Sequence, residues 1–158
     1  VAEARPRWYL MENIPEAPEP SVSGYVVRSE LLNNRWLGQE QNRLRRFSFG
    51  SAEGVRLRIE TEALNLATTS PTVCASGGSL VPVRIGGSGK PKPRHDISNQ
   101  GYKTTPYFLD ALRLQGLPST FLAESAFTVA GKIKAVGNGV PLPMGRAVAK
   151  AVKRSIGK

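Results

Sequence analysis

Between Ala75 and Asn99 the chain turns to glycine, serine, proline and lysine, first as Ala75-Ser76-Gly77-Gly78-Ser79 and again as Gly86-Gly87-Ser88-Gly89-Lys90-Pro91-Lys92-Pro93-Arg94-His95. Side chains this small or this polar cannot bury enough apolar area to offset the cost of ordering their backbone, so the stretch is expected to be loop. The glycines lack the Gly-Lys-Ser/Thr ending and following helix of a phosphate-binding P-loop. Two readings stay open for the stretch, a linker or a loop that faces a nucleic acid.

Ahead of it the pattern is that of strands. Trp8-Tyr9-Leu10-Met11 is a continuous apolar run of the kind a buried parallel strand needs. It ends in Glu12-Asn13-Ile14-Pro15, polar residues at the strand's carboxyl end, where open α/β sheets place their chemistry. Pro15, Pro18 and Pro20 then impose a loop. Gly24-Tyr25-Val26-Val27 reads as a second strand and Arg46-Phe47-Ser48-Phe49-Gly50 as a third. Period-2 parity puts Phe47 and Phe49 on one side of that strand, and carried backwards it puts Arg43 and Arg45 there too. Val55, Leu57 and Ile59 alternate with Arg56, Arg58 and Glu60, as in a strand with one wet face that opens a small separate lobe. With Val1 first and a strand due by Trp8, the sequence is expected to start partway through a fold.

After the Gly-rich stretch the pattern is helical. Thr105 can cap a first helix, Pro106 suits its first turn, and Gly116 with Pro118 stops it after Gln115. A second helix is expected from about Ser125 to Ala135, stopping at Gly137-Asn138-Gly139. A third starts near Pro141 or Pro143. Its Met144, Ala147, Val148, Ala151 and Val152 form one apolar stripe, with Arg146, Lys150, Lys153 and Arg154 on the opposite face.

The 158 residues suffice for one domain with a small appendage. Twenty-two Lys and Arg against twelve Asp and Glu leave a formal charge of +10, which favours a polyanionic partner without separating DNA from RNA or an anionic membrane surface. Glu124 is the last acidic residue, so the basic C-terminal part is either a phosphate-facing surface or a solvated helix face. The single cysteine, Cys74, excludes an internal disulfide and a cysteine-cluster metal site, and no metal is expected. No apolar run approaches the roughly 20 residues needed to span a bilayer, and no signal-peptide core opens the sequence. A soluble cytoplasmic protein is expected.

Four short patterns carry a resemblance. Glu12-Asn13-Ile14, Gln41-Asn42-Arg43-Leu44-Arg45, Arg113-Leu114-Gln115-Gly116-Leu117-Pro118 closed by Phe121, and Gly137-Asn138-Gly139-Val140-Pro141 follow one another in that order. They resemble the Glu-Asn-Val, Gln-x-Arg-x-Arg, Arg-Leu-Gln-Gly-Phe-Pro and Gly-Asn-x-Val-x motifs of the DNA cytosine-5 methyltransferase family. Each pattern alone is common; the shared order is what makes the resemblance specific. It implies an α/β fold: residues 1–50 as the last strands of a Rossmann-like methyltransferase sheet, 51–103 as a target-recognition region, 104–136 as helices of that lobe, and 137–158 as the closing motif and a helix returning to the catalytic domain.

The family's chemistry explains the residue types. Cytosine is a poor carbon nucleophile, so a cysteine thiolate adds to carbon 6 and carbon 5 then attacks the methyl group of S-adenosylmethionine. A carboxylic acid must meet ring nitrogen N3 as charge develops there. The resemblance makes that acid Glu12, the alternative being a strand-end glutamate paired with an arginine. It gives Arg43 and Arg45 the orientation of the base, a nearby carboxylate and the DNA phosphate, which a planar guanidinium does in a geometry lysine cannot copy. Asn138, Gly139 and Val140 would sit beside the cofactor, and a helix C-cap joining two helices is a second reading that does not exclude the first. Asn13, Gln41, Arg113 and Gln115 are assigned supporting roles, and Lys90, Lys92 and Arg94, with Arg43, the contact to duplex DNA and its flipped cytosine.

The family's Pro-Cys nucleophile and Phe-x-Gly-x-Gly cofactor loop are missing. Cys74 falls within the recognition region and reads as a small packed residue, and His95 has no catalytic partner. The expectation is therefore a C-terminal part or subunit, inactive alone, whose partner is a half carrying the Pro-Cys pair in the same precursor or in a second chain. A non-catalytic DNA-binding or regulatory protein on the same half-fold, and an RNA-directed family member, remain as alternatives.

Overall fold

The computed structural model describes residues 1, 3–62, 70, 72–73 and 105–157. Most of the expected recognition region lies outside them, together with Cys74, Lys90, Lys92, Arg94 and His95. The architecture is mixed α/β. Strands β1 (Trp8–Asn13), β2 (Val26–Asn33) and β3 (Leu44–Ser51) precede helices α1 (Thr105–Leu114), α2 (Val129–Asn138) and α3 (Leu142–Ile156), with a 3-10 turn at Asn34–Leu37.

The strands form a three-stranded sheet in the order β1-β3-β2. Both outer strands are antiparallel to β3, so they run parallel to each other. The run Trp8–Met11 is therefore not the doubly buried parallel strand that its composition suggested: its bonded neighbour is antiparallel, and Trp8 and Leu10 keep 37% and 39% exposure while Tyr9 keeps 8%. The physical reason lies across the ladder. Tyr9 fills the place of a side chain at its partner Gly50, where a Cβ would come within 2.1 Å of the tyrosine ring. Burial and the neighbouring Tyr25 ring also push the Tyr9 hydroxyl pKa up. On the other face Trp8 stacks on Phe49 at 5.7 Å between ring centroids.

Strand β2 continues well past Val27 because its polar residues find partners. The Ser29 and Ser48 hydroxyls meet at 2.9 Å, and Glu30 accepts from Arg56 at 2.6 Å. It ends where the Asn33 side chain accepts from the Arg35 amide and Gly38 turns the chain at φ 73°.

Leu32, Phe47 and Phe49 share one sheet face, as the registers Leu32↔Arg45 and Arg28↔Phe49 require. Over them pack Met144, Val148, Ala151 and Val152 of α3, the expected apolar stripe, together with Leu37 and Leu57. Burying four such side chains contributes on the order of 1.5 to 3 kcal/mol for each large one. Val55, Leu57 and Ile59 do face this core, but the segment forms no ladder among the described residues and is not a strand. It is held instead from α3, where Arg154 donates to the Glu60 carboxylate and to the Arg58 carbonyl. The arginine's hydrogen bond keeps the Glu60 pKa below its usual value.

A second core joins Ala111, Leu112 and Leu114 of α1 to Val136 of α2 and to Val73. Helix α2 starts later than expected, at Val129, because Thr128 and not Ser125 caps it, the Thr128 hydroxyl accepting from the Gly131 amide at 3.2 Å. The Ser125 hydroxyl is spent on the Leu122 carbonyl.

Candidate functional site

Glu12 lies opposite Phe47 in the β1–β3 ladder, and Arg45 stands two residues before Phe47 on the same face. The diagonal brings the two together: Arg45 Nε approaches Glu12 Oε1 at 2.9 Å, with side chains 17% and 28% exposed. Arg45 Nη1 also donates to the Leu44 carbonyl at 2.7 Å. The pair is worth little as stability, about 1 kcal/mol or less for a pair in contact with water, and its consequence is orientation.

The turn after Glu12 is fixed from two sides. Asn13 Oδ1 accepts from the Ile14 amide at 2.9 Å. Arg46, paired with Asn13 in register but projecting to the opposite face from Arg45, donates to the Pro15 carbonyl at 3.0 Å and to the Ala17 carbonyl. Sequence reasoning did not single out Arg46. The signal was its parity, which separates it from Arg43 and Arg45.

Arg43 is buried, at 3% exposure, just ahead of β3. Its Nη1 donates to the Val73 carbonyl at 2.9 Å, and its Nη2 to those of Gly137 and Gly139 at 3.0 and 3.1 Å. Gln115 reaches the same turn from the end of α1. Its side-chain nitrogen donates to the Val136 carbonyl at 2.8 Å, and its own backbone carbonyl accepts from the Leu142 amide at 2.8 Å. Gly116 follows at φ 69°, where an added Cβ would lie only 2.9 Å from Pro143 Cδ, so glycine is needed for α1 to meet the start of α3 this closely. The closing turn thus hangs on two buried side chains supplied by two other motifs.

Arg113 stays exposed and pairs with Glu40 at 3.1 Å. Gln41 is fully buried. Its backbone bridges to Ser70, and neither polar atom of its side chain has a hydrogen-bond partner among the described residues.

These elements border an open cavity of about 300 Å³ at the carboxyl end of β1, lined by Glu12, Asn13, Ile14, Arg43, Arg45, Thr72, Val73, Gly137 and Asn138. Three of the four motifs meet there, and the fourth supports it through Gln115. Thr72 and Val73 carried no sequence signal. Gly139 and Val140 do not line the cavity: the Gly139 carbonyl is engaged by Arg43, and Val140 packs on the core between the sheet and α3. The lining brings one carboxylate, Glu12, beside the Arg45 guanidinium, together with Arg43 and the side-chain amides of Asn13 and the exposed Asn138. Such a set can bind a flat polar ring by its edge and exchange a proton with it.

No protein-family model matches the chain, and no curated protein matches it in sequence. Among the described residues no helix is long and apolar enough to cross a membrane.

Proposed function

We propose that the chain is the target-binding and proton-donating part of a DNA cytosine-5 methyltransferase, its sheet being the edge of a larger Rossmann-like sheet. The observation that carries the reading is the cavity. Motifs far apart in the sequence come together in it, Glu12 beside Arg45 with Asn138 in the same lining, while Arg43 and Gln115 hold the closing turn in place.

The chain's own part in the chemistry follows from these groups. A cytosine must leave the base stack to enter such a cavity. Glu12, held by Arg45 in the free chain, then exchanges that partner for ring nitrogen N3 and supplies a proton or a strong hydrogen bond as charge develops there. Arg45, released from the carboxylate, is placed to take the ring carbonyl or the adjacent phosphate.

S-adenosylmethionine supplies the methyl group in this chemistry, but the described residues do not make a site for it. Of Asn138, Gly139 and Val140 only Asn138 lines the cavity, and Glu12 is the one carboxylate there among the described residues. Cofactor binding therefore belongs chiefly to the half that carries the nucleophile.

Transfer of a labelled methyl group to duplex DNA tests the reading. The chain alone should stay at background, and adding a separately expressed half with the Pro-Cys and cofactor-loop motifs should restore transfer. Turnover by the purified chain alone, or none with any such half, would defeat it.

A further inference from the structure

We propose that the open groove between residues 55–60 and the last turns of α3 binds a small organic phosphate, an apolar body carrying one phosphoryl group. The groove has a volume of about 530 Å³ and shares no lining residue with the cavity of Glu12. That volume falls in the range of roughly 300 to 1,000 Å³ where small-molecule sites lie. The site is separate from the methyltransferase reading and does not depend on it.

Val55 and Ile59, half-buried, and Ala151, buried, give the groove its apolar lining. The polar lining is Arg56, Arg58, Glu60 and Arg154, all exposed, with half-buried Ser155. Three guanidiniums against one carboxylate leave the lining positive. The same field acts on Glu60, whose carboxyl is held below the usual carboxylate range by Arg154 first and by Lys150 with it. Arg154 is already set in place, because the Glu60 carboxylate and, at 3.2 Å, the Arg58 carbonyl accept from it. A guanidinium keeps further donors beyond those two contacts. Arg56 is held by Glu30 at 2.6 Å. Arg58 has no ion pair or side-chain hydrogen bond among the described residues, so its planar fork is open to an incoming oxyanion. The negative end of α3 is blunted, since the Gly157 amide donates to the Lys153 carbonyl at 2.9 Å and Lys153 and Arg154 occupy the last turn.

The occupant follows from this lining. Aliphatic side chains beside an unpaired guanidinium suit a molecule that has both an apolar body and an anionic head. A phosphoryl head fits better than a carboxylate. Glu60 already supplies Arg154 with a carboxylate, whereas a phosphoryl dianion matches the excess of positive charge and can share its oxygens among several guanidiniums. A single phosphoryl group also fits better than a nucleic-acid backbone. A backbone laid along the groove would bring successive phosphates past the Glu60 carboxylate, and a lone group on the Arg58 side avoids that repulsion.

Calorimetric titration of the full chain with phenyl phosphate tests the site, since a phenyl ring has no polar edge for Glu12 or Asn138 to bind. Binding should saturate, and Arg58→Gln should weaken it about tenfold or more. Arg58 is exposed and unpaired, so an unchanged thermal midpoint shows that this variant is folded. Arg146→Gln, a charge of α3 outside the lining, and Glu12→Gln in the other cavity should leave the affinity unchanged. Inorganic phosphate should bind about tenfold or more weakly than phenyl phosphate, for want of the apolar body. No saturable binding, or binding that Arg58→Gln leaves unchanged, would overturn the site. Equal affinity for inorganic phosphate would overturn the organic body, and equal affinity for benzoate would overturn the phosphoryl head. Competitive displacement of phenyl phosphate by duplex DNA would give the groove to a DNA surface and overturn the small-molecule assignment. None of these measurements involves methyl transfer, so failure of the methyltransferase reading leaves them untouched.

Discussion

Arg43 donates through Nη2 to the carbonyl oxygen of Gly137 at 3.0 Å, tying the residue that leads into β3 to the last turn of α2. With its bonds to Gly139 and Val73, the guanidinium serves three backbone carbonyls that converge on one buried point. A lysine ammonium could not reach all three in plane. Arg43→Lys should therefore destabilise the fold by more than about 1 kcal/mol, and Arg43→Ala, which leaves the carbonyls without partners, by about 3 kcal/mol. Urea midpoints measure both. A neutral lysine variant would show that the clamp is dispensable.

At the cavity, Glu12→Gln keeps the shape of the side chain and removes its acid. Under the proposed function, the chemical step of the restored methyltransferase should fall by about 10² to 10⁴-fold while DNA affinity changes much less. Single-turnover rates and equilibrium binding separate the two. Equal losses in both would reduce Glu12 to a structural partner of Arg45.

The glycines of the helical part give a paired test of stability. Gly116→Ala places a Cβ 2.9 Å from Pro143 in a left-handed conformation, and should cost at least about 1 kcal/mol. Gly145→Ala, inside α3 with nothing within 4 Å of the added atom, should instead stabilise by about 0.5 to 1 kcal/mol. Thermal midpoints moving in the same direction would contradict this account of the α1–α3 junction.

Much of the helical part was legible because one stripe decides it. Met144, Val148 and Val152 recur at helical spacing, and burial follows from that alone. Parity along β3 was legible for the same reason, and it put Arg45 on the face where Glu12 meets it. The direction of β1's neighbour was not legible, since an apolar run records burial and says nothing of which way its partner runs. The segment Val55–Ile59 shows the same limit: its alternation reports which residues face the core, and a ladder needs a backbone neighbour that alternation cannot supply. Arg43 and Gln115 were readable as motif members, but the carbonyls they hold lie 94 and 21 residues away. No local pattern encodes such a meeting.

The basic surface separates two readings by the salt dependence of DNA binding. Every phosphate of duplex DNA that a variant no longer neutralises should flatten the slope of log affinity against log salt by about 0.9. If the segment around Lys90, Lys92 and Arg94 touches the DNA backbone, neutralising all three should weaken binding to every sequence alike and flatten that slope. Helix α3 provides the comparison. It turns Met144, Val148, Ala151 and Val152 into the core, which leaves Arg146, Lys150 and Lys153 exposed on its other side. Arg154 does not belong in that comparison set, because it is bound to Glu60 and to the Arg58 carbonyl, and replacing it would disturb the packing of residues 55–60 as well as the charge. Neutralising Arg146, Lys150 and Lys153 should therefore change the slope little. Titrations of both triple variants across a salt series decide the matter: a flattened slope for α3 and an unchanged one for the loop would move the DNA-facing surface to the C-terminal helix and return residues 90–94 to the role of a linker.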